Sequence, residues 1–74
     1  MQANIKVSII TVTLNSEKTI AKTIESVLSQ TYTNLEYIII DGLSNDSTIN
    51  IAESYRPKFQ AKGISYQIVS EPDR

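Results

Sequence analysis

Two nearly unbroken apolar runs, KVSIITVTL at Lys6–Leu14 and LEYIIID at Leu35–Asp41, constrain this chain more than any other feature. A strand that is apolar at successive positions is covered on both faces, and such strands belong to parallel sheets with helices laid over them. Parallel neighbours cannot be joined by a tight turn, so the connection must be a crossover, usually a helix. The intervening residues supply one. Asn15 or Ser16 is placed to cap it, Ile20, Ile24, Val27 and Leu28 recur at helical spacing, and the pattern fades near Gln30. Thr31–Asn34 then reads as a loop into the second strand, which pairs with the first after a right-handed crossover.

Beyond Gly42 the chain is turn-rich to Asp46, which can cap a second helix from Ser47 to about Tyr55. Pro57 limits that helix, because the residue before a proline is biased out of the α region. A Lys-rich, less regular stretch and Gly63 follow, and ISYQIVS (64–70) alternates enough to be a third strand, its polar Ser65 and Gln67 suiting a sheet edge. The expected fold class is therefore α/β: a β-α-β-α-β half of a Rossmann-like, three-layer α/β/α sandwich.

Composition removes several classes of function. The 74 residues make a small core, since a chain of this size buries only about 60% of its unfolded surface. Cysteine and histidine are absent, which excludes disulfides, thiol nucleophiles, imidazole bases and zinc sites built on those ligands. Seven basic and eight acidic residues are scattered without a basic stripe, so nucleic acid is not an expected partner. MQANIK does not form a charged segment followed by a long apolar one, so a leader is not expected there, and no run approaches the roughly 20 apolar residues of a membrane span. A cytoplasmic chain is expected, with membrane association only through parts outside it.

In an open parallel sheet, ligands bind outside the carboxyl ends of the strands. Asn15 and Asp41 stand at that rim. Asp41 can accept hydrogen bonds from a ribose or base, or it can simply make a turn with Gly42. Asp46 suits a helix cap better than a ligand contact. NSEKTI after the first strand lacks the glycines of a dinucleotide fingerprint and the cradle of a P-loop, so Lys18 and Lys22 read as solvated. Thr11 and Thr13 suit a strand. Tyr32, Tyr37, Tyr55 and Tyr66 are expected to pack with their hydroxyls at the surface. Glu71 and Asp73 flank Pro72, a spacing that can bring two carboxylates to a metal, although a fraying chain end explains them more simply.

VSIITVTLNSEKTIAKTIESVLSQTYTNLEYIIIDGLSNDST and ISYQIVSEPDR together resemble the amino-terminal part of family 2 glycosyltransferases of the GT-A fold. The motifs are a first strand ending in Thr-x-Asn, SVLSQTY closing the helix, IIIDG, an S-x-D-x-T loop and SEPD, and they cover nearly the whole chain. The resemblance implies a nucleotide-sugar donor, a UDP-sugar above all, and a glycan or lipid-linked acceptor in polysaccharide synthesis. It assigns Val12, Thr13, Leu14 and Asn15 to the nucleoside, Asp41 to the base, and Glu71 and Asp73 to a loop beside the donor. Many members carry an aromatic where this chain has Leu14, so base stacking does not carry over to that position.

The resemblance also implies inverting transfer, with a divalent cation (Mg or Mn) held by an Asp-x-Asp motif and a carboxylate general base. No Asp-x-Asp occurs in the chain. Residues 1–74 are accordingly expected to be an incomplete part of one GT-A domain, without catalytic or metal-binding residues of its own and inactive alone. The runner-up reading is a non-catalytic α/β nucleotide-binding or signalling module. The apolar first strand, lying at an edge in a 3-2-1 order, leads to a further expectation of self-association through Val7–Thr13.

Overall fold

The central strand is the second one. In the computed structural model, which describes residues 5–71, the elements run β1 (Val7–Thr13), α1 (Ile20–Leu28), β2 (Leu35–Asp41), α2 (Thr48–Ser54), α3 (Arg56–Lys62) and β3 (Ser65–Ser70). The sheet order is β1-β2-β3, and both pairings are parallel. Register runs from Val7 opposite Leu35 to Thr13 opposite Asp41, and from Glu36 opposite Ser65 to Asp41 opposite Ser70. The carboxyl ends of all three strands therefore lie side by side. This is the α/β half expected from the two apolar runs.

The helices cover one face only. Leu35, Tyr37, Ile39 and Asp41 alternate along β2 toward that face and are buried, together with Ile20, Ile24 and Val27 of α1, Ala52 of α2, Phe59 of α3 and Tyr66 of β3. On the other face Ile10 and Val12 are 57% and 76% exposed. Unbroken apolar strands imply cover on both faces, but the described residues supply the sheet and a single helical layer. Both crossovers step the same way across the sheet, and right-handed crossovers that do so lay their helices on the same side.

The second crossover differs from expectation. Pro57 does not end helical structure; it lies in the first turn of α3, where its missing N–H is one the helix would leave unpaired in any case. The stretch expected to be irregular is a helix because Phe59 has an apolar cluster to enter. Its ring stacks on Tyr66 at 4.2 Å between centroids and 11° between planes, and lies 5.6 Å from Tyr37. Gly63, at φ 71, ends α3; its N–H donates to Gln60 O and that of Ile64 to Phe59 O, the paired bonds of a left-handed terminus that favours glycine.

Two of the tyrosines also depart from the surface placement expected of them. Tyr37 and Tyr66 are buried, with Tyr37 Oη 2.8 Å from Thr11 Oγ1 and Tyr66 Oη donating to Ala52 O at 2.6 Å. Burial pushes both phenols above their ordinary range, so they serve as neutral hydrogen-bonding groups in the core. Tyr32 and Tyr55 stay near the surface, on Ile5 O and Glu25 Oε2. Among the described residues no helix is long and apolar enough to cross a membrane.

Candidate functional site at the strand ends

The rim is built from the turn after β1 and the turn after β2, which hold each other. Asn15 and Leu43 both take left-handed backbone conformations, at φ 46 and φ 64. Asn15 N–H donates to Ser44 Oγ at 2.7 Å, and Asn15 Oδ1 accepts from Asn45 N–H at 2.7 Å. Gly42 N–H continues the ladder to Thr13 O at 2.9 Å. One turn further on, Ser16 N–H donates to Thr48 Oγ1 at 2.7 Å and Ser47 N–H to Glu17 Oε1 at 2.9 Å.

Neither Asn15 nor Ser16 caps α1. The Ser16 carbonyl accepts from both Thr19 and Ile20 N–H, so residues 17–19 form a turn and the helix starts at Ile20. The Asn15 side chain is drawn across to the neighbouring loop instead. Asp46 does act as expected, one position before the helix flank: Oδ1 accepts from Thr48 N–H at 2.9 Å and from the Thr48 hydroxyl, and Oδ2 from Glu17 N–H at 3.2 Å. Partial desolvation works to raise its pKa, but the hydrogen bonds from Thr48, Glu17 and its own backbone outweigh that and hold the carboxyl below its ordinary value.

The residues assigned to the nucleoside separate by strand parity. Val12 and Leu14 lie exposed on the open face, and Asn15 is exposed at the rim. Thr13 alternates inward and is 6% exposed, so its side chain belongs to the helix-covered face and not with those of Val12 and Leu14. Asp41 is fully buried, and both its oxygens are taken up by one residue: Ser44 Oγ donates to Oδ1 at 2.5 Å and Ser44 N–H to Oδ2 at 2.7 Å. As it stands, this carboxylate organises the loop. Glu71 is exposed, and its N–H donates to Asp41 O at 2.9 Å, which brings it to the same rim. Asp73 lies outside the described residues.

Ser44 is the residue that sequence reasoning passed over. Its signal was its spacing from Asp41, three residues on, where a hydroxyl can fold back on a carboxylate in a turn. Thr13 Oγ1, by contrast, is buried without a partner among the described residues. An orphaned hydroxyl is destabilising, so Thr13→Val is expected to raise stability by about 1 kcal/mol in urea unfolding; a loss of stability would mean that the hydroxyl is in fact satisfied, for instance by water.

Two other features bear on the site. Among the described residues no three His, Cys, Asp or Glu side chains come together as metal ligands would. A shallow groove of about 450 Å3 lies between α1 and α3, lined by Glu25, Leu28, Ser29, Lys58, Ala61 and Lys62. It is where those helices hand over to β2 and β3, at the opposite end of the strands from the rim.

The model of glycosyl transferase family 2 matches residues 8–70. The chain is 47% identical to EpsE of Bacillus subtilis (strain 168) over 55 residues, 74% of this chain and 20% of EpsE. It is 39% identical over 59 residues to TarS of Staphylococcus aureus (strain Mu50 / ATCC 700699), a poly(ribitol-phosphate) beta-N-acetylglucosaminyltransferase, covering 77% of this chain and 10% of TarS. Over 45 residues it is 53% identical to WfaP of Escherichia coli, a UDP-Glc:alpha-D-GlcNAc-diphosphoundecaprenol beta-1,3-glucosyltransferase, covering 61% of this chain and 18% of WfaP. The chain thus spans between a tenth and a fifth of these relatives.

Proposed function

The chain belongs to glycosyl transferase family 2, and from that premise we propose that its strand-end rim holds the nucleoside of a nucleotide-sugar donor, a UDP-sugar, in an inverting sugar transferase. The observation that carries the reading is the clamp between the turns after β1 and β2, which fixes Asn15 beside the exposed Val12 and Leu14. The open apolar face at this point gives a flat base something to lie on without a basic cradle. The donor named for WfaP is a UDP-sugar, which favours uridine, and the names of WfaP and TarS point to lipid-linked or polymeric acceptors.

In the proposed reaction an acceptor hydroxyl attacks the anomeric carbon, a new C–O bond forms, and the bond to the diphosphate oxygen breaks with its electron pair leaving on the nucleoside diphosphate. The acceptor's proton goes to a base outside this chain. A divalent cation, when bound, would neutralise the leaving diphosphate, and its ligands would also lie outside the chain. What residues 12–15 and 41–48 contribute is binding and orientation, held on rigid strand ends. Residues 1–74 alone are proposed to be inactive. The setting proposed is the cytoplasm, in polysaccharide synthesis.

Val12→Lys tests the reading. Val12 is 76% exposed among the described residues, so the change disturbs no packing that they make, while a flexible cation replaces the apolar surface offered to the base. UDP binding by the protein that carries this chain is expected to weaken at least about tenfold. Wild-type affinity in the variant would remove Val12 from the site.

A further inference from the structure

The clamp leaves one polar group over. A backbone N–H can only donate, so the bond from Asn45 N–H identifies the carboxamide oxygen of Asn15 and thereby its other end: Nδ2 is the amino group. No described residue accepts a hydrogen bond from it. Asn15 is exposed, in a left-handed conformation that asparagine tolerates better than most residues, and it cannot turn its carboxamide over without breaking the Asn45 bond. Its N–H is fixed in turn by Ser44 Oγ, whose own proton is committed to Asp41 Oδ1. Charge assistance from the carboxylate strengthens each bond of that relay. A buried acid therefore acts on an exposed amide through one hydroxyl.

We propose that Ser44 is a positioning residue that, with Asn45, holds Asn15 so that its carboxamide Nδ2 donates a hydrogen bond to an oxygen of the bound nucleotide. The inference rests on the nucleotide-binding reading above. On this account the ligand is met at the turn after β1 by a neutral donor, and Asp41 touches Ser44 and not the base. The accepting oxygen belongs to the nucleoside or to the diphosphate, and uridine and UDP as separate probes tell the two apart.

The test is calorimetric titration of the full-length protein carrying this chain with uridine and with UDP, for wild type, Asn15→Asp, Asn15→Gly, Ser44→Ala and Ser44→Thr. Asn15→Asp keeps an acceptor for Asn45 N–H and loses the donor; Asn15→Gly keeps the left-handed backbone and adds no charge. Both are expected to weaken UDP about tenfold, the size of one good hydrogen bond, and to weaken uridine equally only where the accepting oxygen is on the nucleoside. Ser44→Ala is expected to weaken binding by a similar factor and to speed hydrogen exchange at the Asn15 amide, while Ser44→Thr, which restores the hydroxyl, brings both back to within about threefold of wild type. UDP bound by Asn15→Gly or Ser44→Ala within about threefold of wild type overturns the inference. Failure of wild type to bind either probe contradicts the nucleotide reading itself.

Discussion

Replacing Phe59 with Ala is expected to destabilise the domain by about 3–5 kcal/mol, the range for removing a fully buried aromatic ring. Phe59 is wholly buried and joins the sheet to the second crossover: it stacks on Tyr66 of β3, reaches Tyr37 of β2, and Tyr66 in turn lies under the Arg56 guanidinium, 5.4 Å from the ring centroid. A hole at this point cannot be refilled by small shifts, because the neighbours are rigid rings. Domains of ordinary stability have only about 5–15 kcal/mol in all, so a large share of the folded population's margin goes with the ring. Urea unfolding followed by tyrosine fluorescence measures it. A loss below about 1 kcal/mol would mean that α3 does not pack on the sheet as described.

Asp41→Ala is the second large effect, and its cause is polar. The buried carboxylate accepts from both the N–H and the hydroxyl of Ser44, and a hydrogen bond to a charged group contributes about 1.5–3 kcal/mol. Loss of both is expected to destabilise by about 3 kcal/mol and to free the 42–48 loop. Asp41→Asn retains an acceptor oxygen and should lose markedly less. Because Asn15 hangs on the same relay, UDP affinity should fall with stability in the Ala variant. Unchanged stability and unchanged loop amide exchange in Asp41→Ala would show that the carboxylate does not anchor this turn.

The parallel sheet was legible because Val7–Thr13 and Leu35–Asp41 carry β-branched residues at consecutive positions, a pattern with few other uses. The stripe Ile20, Ile24, Val27 was legible from its period alone, and all three are buried. Helix α3 was hidden by Pro57, a residue that stops a helix from the inside and starts one from the first turn; only the position of Phe59 relative to a core contributed by other strands decides between them. The open face was hidden too, since the apolar character of Ile10 and Val12 speaks of cover without saying where it comes from. At the site, Asn15 and Asp41 were placed at the rim by the strand-end rule, but Ser44 was not, because its importance lies in contacts between two loops that are distant in sequence. Parity also divided Thr13 from Val12 and Leu14, which a motif read as one stretch treats alike.

The central claim is that nucleotide is held at the carboxyl ends of β1 and β2, and amide chemical shifts during a titration with UDP test it most directly. The account predicts shifts concentrated at residues 12–16 and 42–48, with Asn15, Gly42 and Ser44 among the largest, and smaller ones at Glu71, which is tied to Asp41 O. Shifts confined to Lys58–Gly63 and the facing end of α1, with the strand-end amides unmoved, would put the ligand in the helical groove at the other end of the sheet and contradict it.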